Sequence, residues 1–375
     1  MSEPHFVRSL PQHSGLVARP GLRRLQSDPI LWVLLVTLIL YGLVMLYSAV
    51  ERDMDIVGGQ VARLCLALVL MGMAAQVHPA RYLRWAPGLY AAGVLLLVAV
   101  LLAGVTVKGS QRWLELPGIG RFQPSELMKI ALPLMIAWYF HDRPLPPTFK
   151  DLFRVAALIG LPVGLIILEP DLGTGILALA GGLTVVFLAG LPWRWIVYGS
   201  LAGVAMAPAL WFALQPYQQQ RILTLFDPDK DPLGAGWNII QSTTALGSGG
   251  LFGKGLHDGT QSQLKFLPES HTDFIVAVIG EELGFTGVAA LLILYLLIVA
   301  RGLVIAAQSK HTFGRLAASS LTMVFFVYLF ANIAMVAGLL PVVGLPLPLV
   351  SYGGTSAITL LLGFGIIMSI HGHRS

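Results

Sequence analysis

Ten long apolar segments constrain the fold of this chain more than any other feature of its sequence. A helix needs about 20 consecutive apolar residues to cross the hydrocarbon core of a membrane. Of the 375 residues, 56% are hydrophobic and 11% are charged, which is more apolar sequence than a soluble domain of this length needs. The sequence therefore predicts an all-α polytopic membrane protein with about ten transmembrane helices. The segments lie near residues 30–50, 57–77, 83–106, 125–140, 153–168, 173–190, 194–214, 274–300, 315–338 and 355–371.

The chain divides into two short tails and a single transmembrane domain. Residues 1–27 are polar with scattered Arg, and we expect no cleavable signal peptide because the first apolar run is long enough to span. Asp28 and Pro29 then suit a helix cap followed by proline at the first helical position. We place the domain at 28–371 and the second tail at 372–375. The single cysteine, Cys65, lies in an apolar segment and excludes an intramolecular disulfide.

The distribution of Lys and Arg predicts the orientation in the membrane. Of 24 such residues, 14 fall on the side that holds the N-terminus and 8 on the other, while Arg63 and Lys129 lie inside apolar segments. Cytoplasmic loops of membrane proteins carry the excess of basic residues. We therefore expect both termini in the cytoplasm. The net charge of +5 is modest, and we expect no nucleic-acid partner.

Two connecting segments are unusual. Residues 215–273 form one long extracytoplasmic loop that is too long to lack structure, and Trp237 to Leu246 within it suits a short interfacial helix. Residues 338–354 are apolar and uncharged but are broken by three prolines. Such a segment cannot form a regular helix, and a re-entrant-like loop lining a cavity would satisfy its backbone.

The stretch 267–285 places an acid where the long loop meets a membrane helix. Asp273 precedes an apolar run that continues to about residue 300. One interpretation is a helix N-cap, since Asp accepts backbone N–H bonds there. The other is a general base near the membrane surface, and one carboxylate can serve both roles. Glu281 and Glu282 follow inside the apolar run, where acids usually face a bundle interior or a wet cavity.

Two further acidic motifs lie at the ends of apolar segments. Glu126 and Lys129 share one helix face through their i, i+3 spacing, either as an ion pair at a helix start or as part of a site. Glu169 and Asp171 occupy a very short turn, where Asp171 suits a cap for the next helix. We favour turn chemistry for the second motif and leave both interpretations open for the first.

Basic residues recur on the side of the long loop. Scattered solvated charges are the usual explanation. Together with the acids and the broken helix, however, they suit a lipid that carries phosphate or pyrophosphate, which Arg and Lys bind through charge and fork geometry. The candidate binding residues are Arg112, Lys129, Arg221, Lys254 and Lys265, with Trp113 beside the first of them.

Two other motifs carry little chemistry. The glycine-rich stretch 247–255 is not a phosphate-binding P-loop, because no Ser or Thr follows Lys254 and no strand precedes it. It suits a flexible glycine loop. His371 and His373 near the C-terminus are weak evidence for a metal site.

The motifs taken together resemble the SEDS family (shape, elongation, division and sporulation). They occur in the same order as in the family, from about residue 30 to 370, and their amino-acid sequences are most similar to the elongation branch of the family. The turn motif carries Glu169 where Gln is common in the family. The resemblance rests on GSQRWL with QPSELMK, EPDLGT, FDPDKDPLGAGWNIIQS, ALGSGGLFGKG, LPESHTDFIVAVIGEELG and GLLPVVGLPLPLVSYGG.

This resemblance implies an all-helical fold of ten spans and peptidoglycan glycosyltransferase activity in the bacterial cytoplasmic (inner) membrane. It implies lipid II as substrate, undecaprenyl pyrophosphate as product and Asp273 as the functional acid, with Glu126 and Lys129 as polar residues at the outer end of the fourth span. The implied partners are a class B penicillin-binding protein, which is a transpeptidase, and other membrane proteins of the elongation complex.

Three questions stay open after the resemblance is taken into account. A divalent cation, Mg²⁺ or Mn²⁺, would suit the pyrophosphate, although the sequence assigns it no ligands. A lipid II flippase would also need charges that line a cavity. A non-catalytic scaffold for the transpeptidase is the third possibility, but a scaffold does not need acids inside spans.

Overall fold

The computed structural model describes residues 27–107, 110–116, 120–231, 234–263 and 269–373. Nearly all of the predicted N-terminal tail lies outside these residues. Three short strands, β1 (Val105–Val107), β2 (Ser110–Leu116) and β3 (Gly120–Phe122), stand between α3 and α4. The helices are α1 (Pro29–Ala49), α2 (Met54–Gln76), α3 (Pro79–Ala103), α4 (Pro124–Phe140), α5 (Phe149–Leu168), α6 (Leu172–Leu188), α7 (Trp193–Ala213), α8 (Pro216–Phe226), α9 (Ala235–Ser248), α10 (Thr260–Gln263), α11 (Ile275–Ala307), α12 (Thr312–Val336) and α13 (Thr355–Gly372).

Each of the ten predicted apolar segments forms a helix, which confirms the polytopic all-α membrane fold. These helices are α1 to α7 and α11 to α13. In the described part of the chain, seven of them are long and apolar enough to cross a membrane, namely α1, α2, α3, α5, α11, α12 and α13. Asp28 caps α1 as the sequence predicts, since its Oδ1 accepts the N–H of Leu31 at 2.7 Å.

Connections between successive spans alternate between two ends of the bundle. The end that we name the loop end carries the three strands, the turn 169–171, the long segment 214–274 and residues 337–354. The opposite end, named the tail end, carries the connections 77–78, 141–148, 189–192 and 308–311 together with the last turn of α13.

The connection between α3 and α4 contains a small three-stranded sheet. β1 pairs antiparallel with β2, and β2 pairs antiparallel with β3. Trp113 lies opposite Val105, and Gln111 donates to the carbonyl groups of Val100 and Gly104 at the end of α3. The sheet therefore fixes the segment that carries Arg112 and Trp113 against the bundle.

The long segment between α7 and α11 is structured, as its length predicts. It contains α8, a 3-10 turn at Pro228–Lys230, α9 and the short α10. The helix predicted at Trp237 to Leu246 is confirmed within Ala235–Ser248. It packs against α11, where Leu246 meets Gly280 so closely that any larger residue at 280 would have to displace it.

A kink at Gly284 divides α11 into an outer part and a membrane span. Gly284 has φ 66° and ψ −162°, a backbone conformation that glycine adopts far more readily than other residues. The backbone groups freed by the kink bind the glycine-rich segment 249–255. The N–H groups of residues 285 and 286 donate to the carbonyls of 250 and 251, and those of 254 and 255 donate to the carbonyls of 281 and 282. This segment is therefore docked on α11.

Glu281 and Glu282 lie before this kink, so their surroundings differ from the expected apolar span. Both side chains are fully buried, but in contacts with the docked segment and α1 rather than in the part of α11 that crosses the membrane. The 33 residues of α11 extend to Ala307, beyond the predicted end near residue 300, which leaves a full span after Gly284.

α12 and α13 form the centre of the bundle, and α7 lies at its edge. Of the apolar stretches of α12 and α13, 72% and 67% are buried inside the protein. No described residue of α7 is buried, so this helix packs loosely against the rest of the bundle. Residues 338–354 are irregular between α12 and α13, as their prolines predict.

Candidate functional site

A polar cavity of 450 Å³ opens at the loop end of the bundle, and we name it the central cavity. Parts that are far apart in sequence form its wall: the sheet, the starts of α4, α6 and α8, the approach to α11, the middle of α12 and the irregular segment before α13. The charged and aromatic residues of its lining are Arg112, Trp113, Glu126, Asp171, Tyr217, Arg221, Glu269, Asp273, Tyr328 and Tyr352.

Asp273 lies in this wall, just before α11 begins. The N-cap position of α11 is Phe274, and no side-chain cap hydrogen bond is made there, so the structure gives no support to the cap interpretation of Asp273. The fully buried Asn332 of α12 donates from Nδ2 to the Asp273 carbonyl at 2.8 Å and to the Leu345 carbonyl at 2.6 Å. One amide therefore fixes both the acid and the irregular segment that faces it.

The irregular segment closes on the Asp273 side chain. Gly344 has φ 72°, and a Cβ atom there would lie 3.6 Å from Oδ2 of Asp273. On the far side of the segment, the Tyr352 N–H donates to the carbonyl of His271 at 2.9 Å. Residues 338–354 thus line the cavity, as expected from a re-entrant-like loop.

Glu126 and Lys129 form a buried ion pair at the start of α4. Lys129 Nζ lies 2.6 Å from Glu126 Oε1 and 4.7 Å from the ring centroid of Tyr328. The two side chains differ in one respect. Glu126 lines the central cavity, and its second oxygen, Oε2, is buried with no hydrogen-bond partner in the described part of the protein, whereas Lys129 lies behind it. The pair therefore leaves one buried carboxylate oxygen without a hydrogen bond at a residue that lines the cavity.

Asp171 caps α6, as predicted, and also joins three elements. Its Oδ1 accepts the Thr174 N–H at 3.1 Å, and its Oδ2 accepts Nε2 of Gln123 at 2.7 Å. Arg112 Nη1 from the sheet lies 3.5 Å from Oδ2. The Asp171 carboxylate therefore both caps α6 and lines the central cavity.

Glu169, two residues earlier, is buried differently. Its side chain is inaccessible to solvent, and neither carboxyl oxygen has a hydrogen-bond partner among the described residues. Burial, with a smaller contribution from the nearby Asp171 charge, raises the pKa of Glu169 to about 8, although Arg112 acts in the opposite direction. Glu169 is therefore a neutral acid at pH 7, and it lies behind the cavity wall.

The predicted binding residues separate into three groups. Arg112, Trp113 and Arg221 line the central cavity, and Arg221 also lies 5.8 Å from the ring of Tyr217. Lys254 lies elsewhere, in the docked segment, where its Nζ is 2.8 Å from Glu281 Oε1. Lys265 lies outside the described residues.

The two other acids of α11 contact neighbouring elements and do not line the central cavity. Glu281 Oε1 accepts the N–H of Gln261 at 2.9 Å and the Thr260 hydroxyl at 3.1 Å, in addition to Lys254. Ser48 of α1 donates to Glu282. Glu281 therefore ties the docked segment and α10 to α11, and Glu282 binds α1. Since neither acid lines the central cavity, both are poor candidates for a base that must reach a substrate.

Sequence reasoning missed several residues of the wall. Gln123, Tyr328 and Asn332 each position a charged group or a backbone carbonyl of the site. Asn332 and Tyr328 lie in apolar α12, where a polar residue inside a span is the signal that could have found them.

The cavity suits a divalent cation only in part. Within the described ranges, no group of three or more His, Cys, Asp or Glu side chains is arranged to hold a metal ion, which also leaves His371 and His373 without a metal role. Mg²⁺, however, is often bound through one or two carboxylates, with phosphate oxygens and water as the other ligands. Glu126 lines the cavity, and its Oε2 has no hydrogen-bond partner among the described residues, so it would supply one such carboxylate.

Known proteins are similar to this chain over nearly its whole length. The family of cell cycle proteins named for FtsW, RodA and SpoVE matches residues 28–375. The chain is 51% identical over 352 residues to the peptidoglycan glycosyltransferase MrdB of Escherichia coli (strain K12), across 94% of this chain and 95% of that protein.

Solved structures are similar over the same length. The fold matches a chain in a peptidoglycan synthase complex that coordinates polymerization and crosslinking, with a TM-score of 0.82 and 34% identity over 93% of this chain and 98% of that chain. It matches the rod shape determining protein RodA of Thermus thermophilus with a TM-score of 0.72 and 32% identity, over 94% and 99% of the two chains. The chain therefore belongs to the SEDS family, the group that includes FtsW, RodA and SpoVE.

Proposed function

We propose that this chain is a peptidoglycan glycosyltransferase that joins lipid II units into β-1,4-linked glycan strands at the outer face of the cytoplasmic membrane, and that it releases undecaprenyl pyrophosphate. One observation carries this proposal. Asp273 lies in the wall of a cavity that also holds two arginines at the loop end of the bundle. The name of the relative MrdB supports the reaction class.

Asp273 is the proposed general base. The 4-hydroxyl of the GlcNAc of one lipid-linked sugar attacks C1 of the MurNAc of the other, and the carboxylate accepts the hydroxyl proton. A single displacement inverts the α-linked donor and gives the β-1,4 bond. Asn332 holds the backbone of this acid through its 2.8 Å hydrogen bond to the Asp273 carbonyl, so the base is positioned before substrate enters.

Arg112 and Arg221 are the proposed contacts for the leaving pyrophosphate. Both line the cavity, and a guanidinium matches phosphate oxygens with two parallel N–H bonds. Asp171 and the ring of Tyr217 hold the two guanidinium groups from behind. A Mg²⁺ or Mn²⁺ ion would be held by Glu126, Asp273 and phosphate oxygens, and would supply further positive charge to the leaving group.

The lipid tails need a side opening, and the edge helix α7 is the proposed place for it. Its described residues include none that is buried, whereas most of the apolar stretches of α12 and α13 are buried inside the protein. A loosely packed helix beside the starts of α6 and α8 leaves room for an isoprenoid chain to reach the cavity from the membrane.

The packing beneath the cavity favours polymerisation over lipid transport. Below Glu126, the next turns of α4 present fully buried apolar side chains, including Leu132, Leu134 and Ile136. A flippase needs a polar route for the headgroup across the membrane. The polar wall of the central cavity is confined to one end, which suits chemistry at one leaflet.

The chain is proposed to work with a class B penicillin-binding protein, together with other membrane proteins of the elongation complex. The similar chain in a peptidoglycan synthase complex supports this pairing, because that complex coordinates polymerization and crosslinking.

Purified protein supplied with pure lipid II tests the reaction directly, alone and with its transpeptidase partner. We expect glycan strands and released undecaprenyl pyrophosphate, and a rate lower by orders of magnitude from the Asp273→Asn protein. A parallel measurement in liposomes follows lipid II across the bilayer. Lipid movement without polymer would favour the flippase and overturn the proposal. If the protein shows neither lipid movement nor polymerisation, with or without the partner, a scaffold would be favoured.

A further inference from the structure

A second cavity, also of 450 Å³, lies at the tail end, where α3 and α12 begin and α4 and α13 end. Binding pockets for small molecules typically have about 300–1,000 Å³. Among its described lining residues, Asp142 is the only acid. We name it the histidine cavity, because its basic lining consists of His78, His141, His311, His373 and Lys310. The central cavity shares none of these residues.

The backbone fixes two of the imidazole rings through one nitrogen each. His78 Nδ1 accepts the N–H of Ala80 at 3.1 Å, so the proton of a neutral His78 ring is on Nε2. His373 Nδ1 lies 2.9 Å from the carbonyl of Ser369, to which it donates. The rings meet edge to face with centroids 4.6 Å apart. Each ring keeps a second nitrogen for a ligand.

The single acid of the lining is already engaged. His141 Nε2 lies 2.8 Å from Asp142 Oδ2, and its Nδ1 lies 2.5 Å from the carbonyl of Trp138. Both ring nitrogens of His141 thus face oxygen atoms, and Asp142 faces His141. Among the described residues that line the cavity, no acid forms an ion pair with Lys310.

The surroundings of His78 disfavour its protonated form. Desolvation, followed by the charges of His373, Arg81 and His311, lowers the pKa of His78 below its ordinary value. An anion among these rings would reverse that effect, because it favours their protonated forms.

The start of α12 adds hydrogen-bond donors to the same wall. His311 occupies the N-cap position of this 25-residue helix, and no side chain of the described structure caps it. Thr312, Phe313 and Gly314, the first turn of α12, line the cavity. Backbone N–H groups at a helix start favour negative charge.

We propose that the histidine cavity binds a phosphate-bearing anion, either the headgroup of an anionic membrane phospholipid or a soluble phosphate compound. The lining supplies what a phosphate needs: one ammonium group, imidazole N–H donors and a helix start. A metal ion is a poor occupant, because no described cluster of ligands is arranged to hold one. The binding site is independent of the proposed transferase reaction at the other end.

Binding measurements with purified protein test this site. Protein in phosphatidylcholine nanodiscs is titrated with inorganic phosphate, and protein from nanodiscs containing phosphatidylglycerol is examined by native mass spectrometry for retained lipid. The variant combines Lys310→Gln and His311→Gln, two exposed positions in the connection before α12. The matched control is Lys150→Gln, an exposed lysine in the first turn of α5 that does not line the cavity.

We expect wild type to bind at least one probe, and the double variant to bind it about tenfold more weakly, since charge-assisted hydrogen bonds are lost. The control should bind like wild type. Phosphate binding identifies a soluble ligand, and selective retention of phosphatidylglycerol identifies a headgroup. If neither probe binds to wild type, or if the control variant loses as much binding as the double variant, the proposal is overturned. Thermal unfolding checks the fold, and Lys310→Gln alone replaces the double variant if that protein is unstable.

Discussion

Replacing Asp273 is the substitution that best distinguishes a catalytic role from a structural role. Asn cannot accept a proton at neutral pH, and no helix cap is lost because α11 begins at Ile275 without a side-chain cap. We expect Asp273→Asn to lower the rate of glycan strand formation roughly 10²- to 10⁴-fold, with an unchanged unfolding temperature. Polymerisation by the purified variant at a near wild-type rate would show that the base is another group.

Glu126 and Lys129 should respond differently to replacement, although they form one ion pair. Lys129→Met leaves the Glu126 carboxylate buried and unpaired, at a cost of about 3–5 kcal/mol in the free energy of unfolding. The double variant Glu126→Gln with Lys129→Met removes both charges and should recover much of this stability. It should nevertheless stay inactive, because the cavity lining has lost the Glu126 carboxylate that we propose binds substrate or metal.

The readouts for this pair are the unfolding temperature and the polymerisation rate of each purified protein. An active double variant would show that the pair is purely structural. Full stability of Lys129→Met would contradict the burial of the pair.

Glu169 makes the stability of the folded protein depend on pH, and the sign of this dependence follows from the pKa of its carboxyl group. The carboxyl has a pKa of about 8 in the folded protein and about 4.3 when unfolded. Between these values the folded state holds a proton that the unfolded state has released, so stability falls as pH rises through this window. Glu169→Gln cannot ionise, and we expect its unfolding temperature to exceed that of wild type increasingly from about pH 5 to about pH 8. Parallel curves for the two proteins would contradict a buried neutral acid.

At the scale of whole elements, Gly284 determines how the glycine-rich segment docks. A Cβ atom at Gly284 would lie 2.8 Å from the backbone of Leu251, and φ is 66°. We therefore expect Gly284→Ala to lower the free energy of unfolding by at least about 1–2 kcal/mol. Gly164→Ala in α5 is the control: no atom lies within 4 Å of its added Cβ, and Ala favours helix. Urea unfolding of both variants measures the difference, and equal effects would argue against the kink.

The apolar segments predicted the spans well, because a membrane helix leaves a long signal that neighbouring elements do not alter. The kink and the sheet were not predictable in the same way. β1 and β3 have three residues each, too few for a periodic pattern, and Gly284 is one of several glycines in the chain. The position of Lys254 depends on that kink, so its pairing with Glu281 could not be read from its place in a basic loop.

At the scale of the whole molecule, two cavities of equal volume occupy opposite ends of the bundle. Sequence patterns indicated the first, because acids and bases at the starts of apolar segments tend to converge where those helices begin. They did not indicate the second. Its four histidines come from four separate connections or helix ends, and only the packing of α3, α4, α12 and α13 brings them together.

The orientation of these ends decides which leaflet each cavity serves, and single cysteines report it. Cys65 on α2 is replaced first, since it is exposed on the surface of the bundle. Ser248→Cys, exposed at the loop end, should then react with a membrane-impermeant thiol reagent in intact cells. Ser309→Cys, in the tail-end connection before α12, should react only after the cells are permeabilised. The excess of Lys and Arg on the tail side is the physical reason for this expectation. Labelling of Ser309→Cys in intact cells would reverse the orientation, and it would place Asp273 at the cytoplasmic leaflet, where it could not build a wall outside the cell.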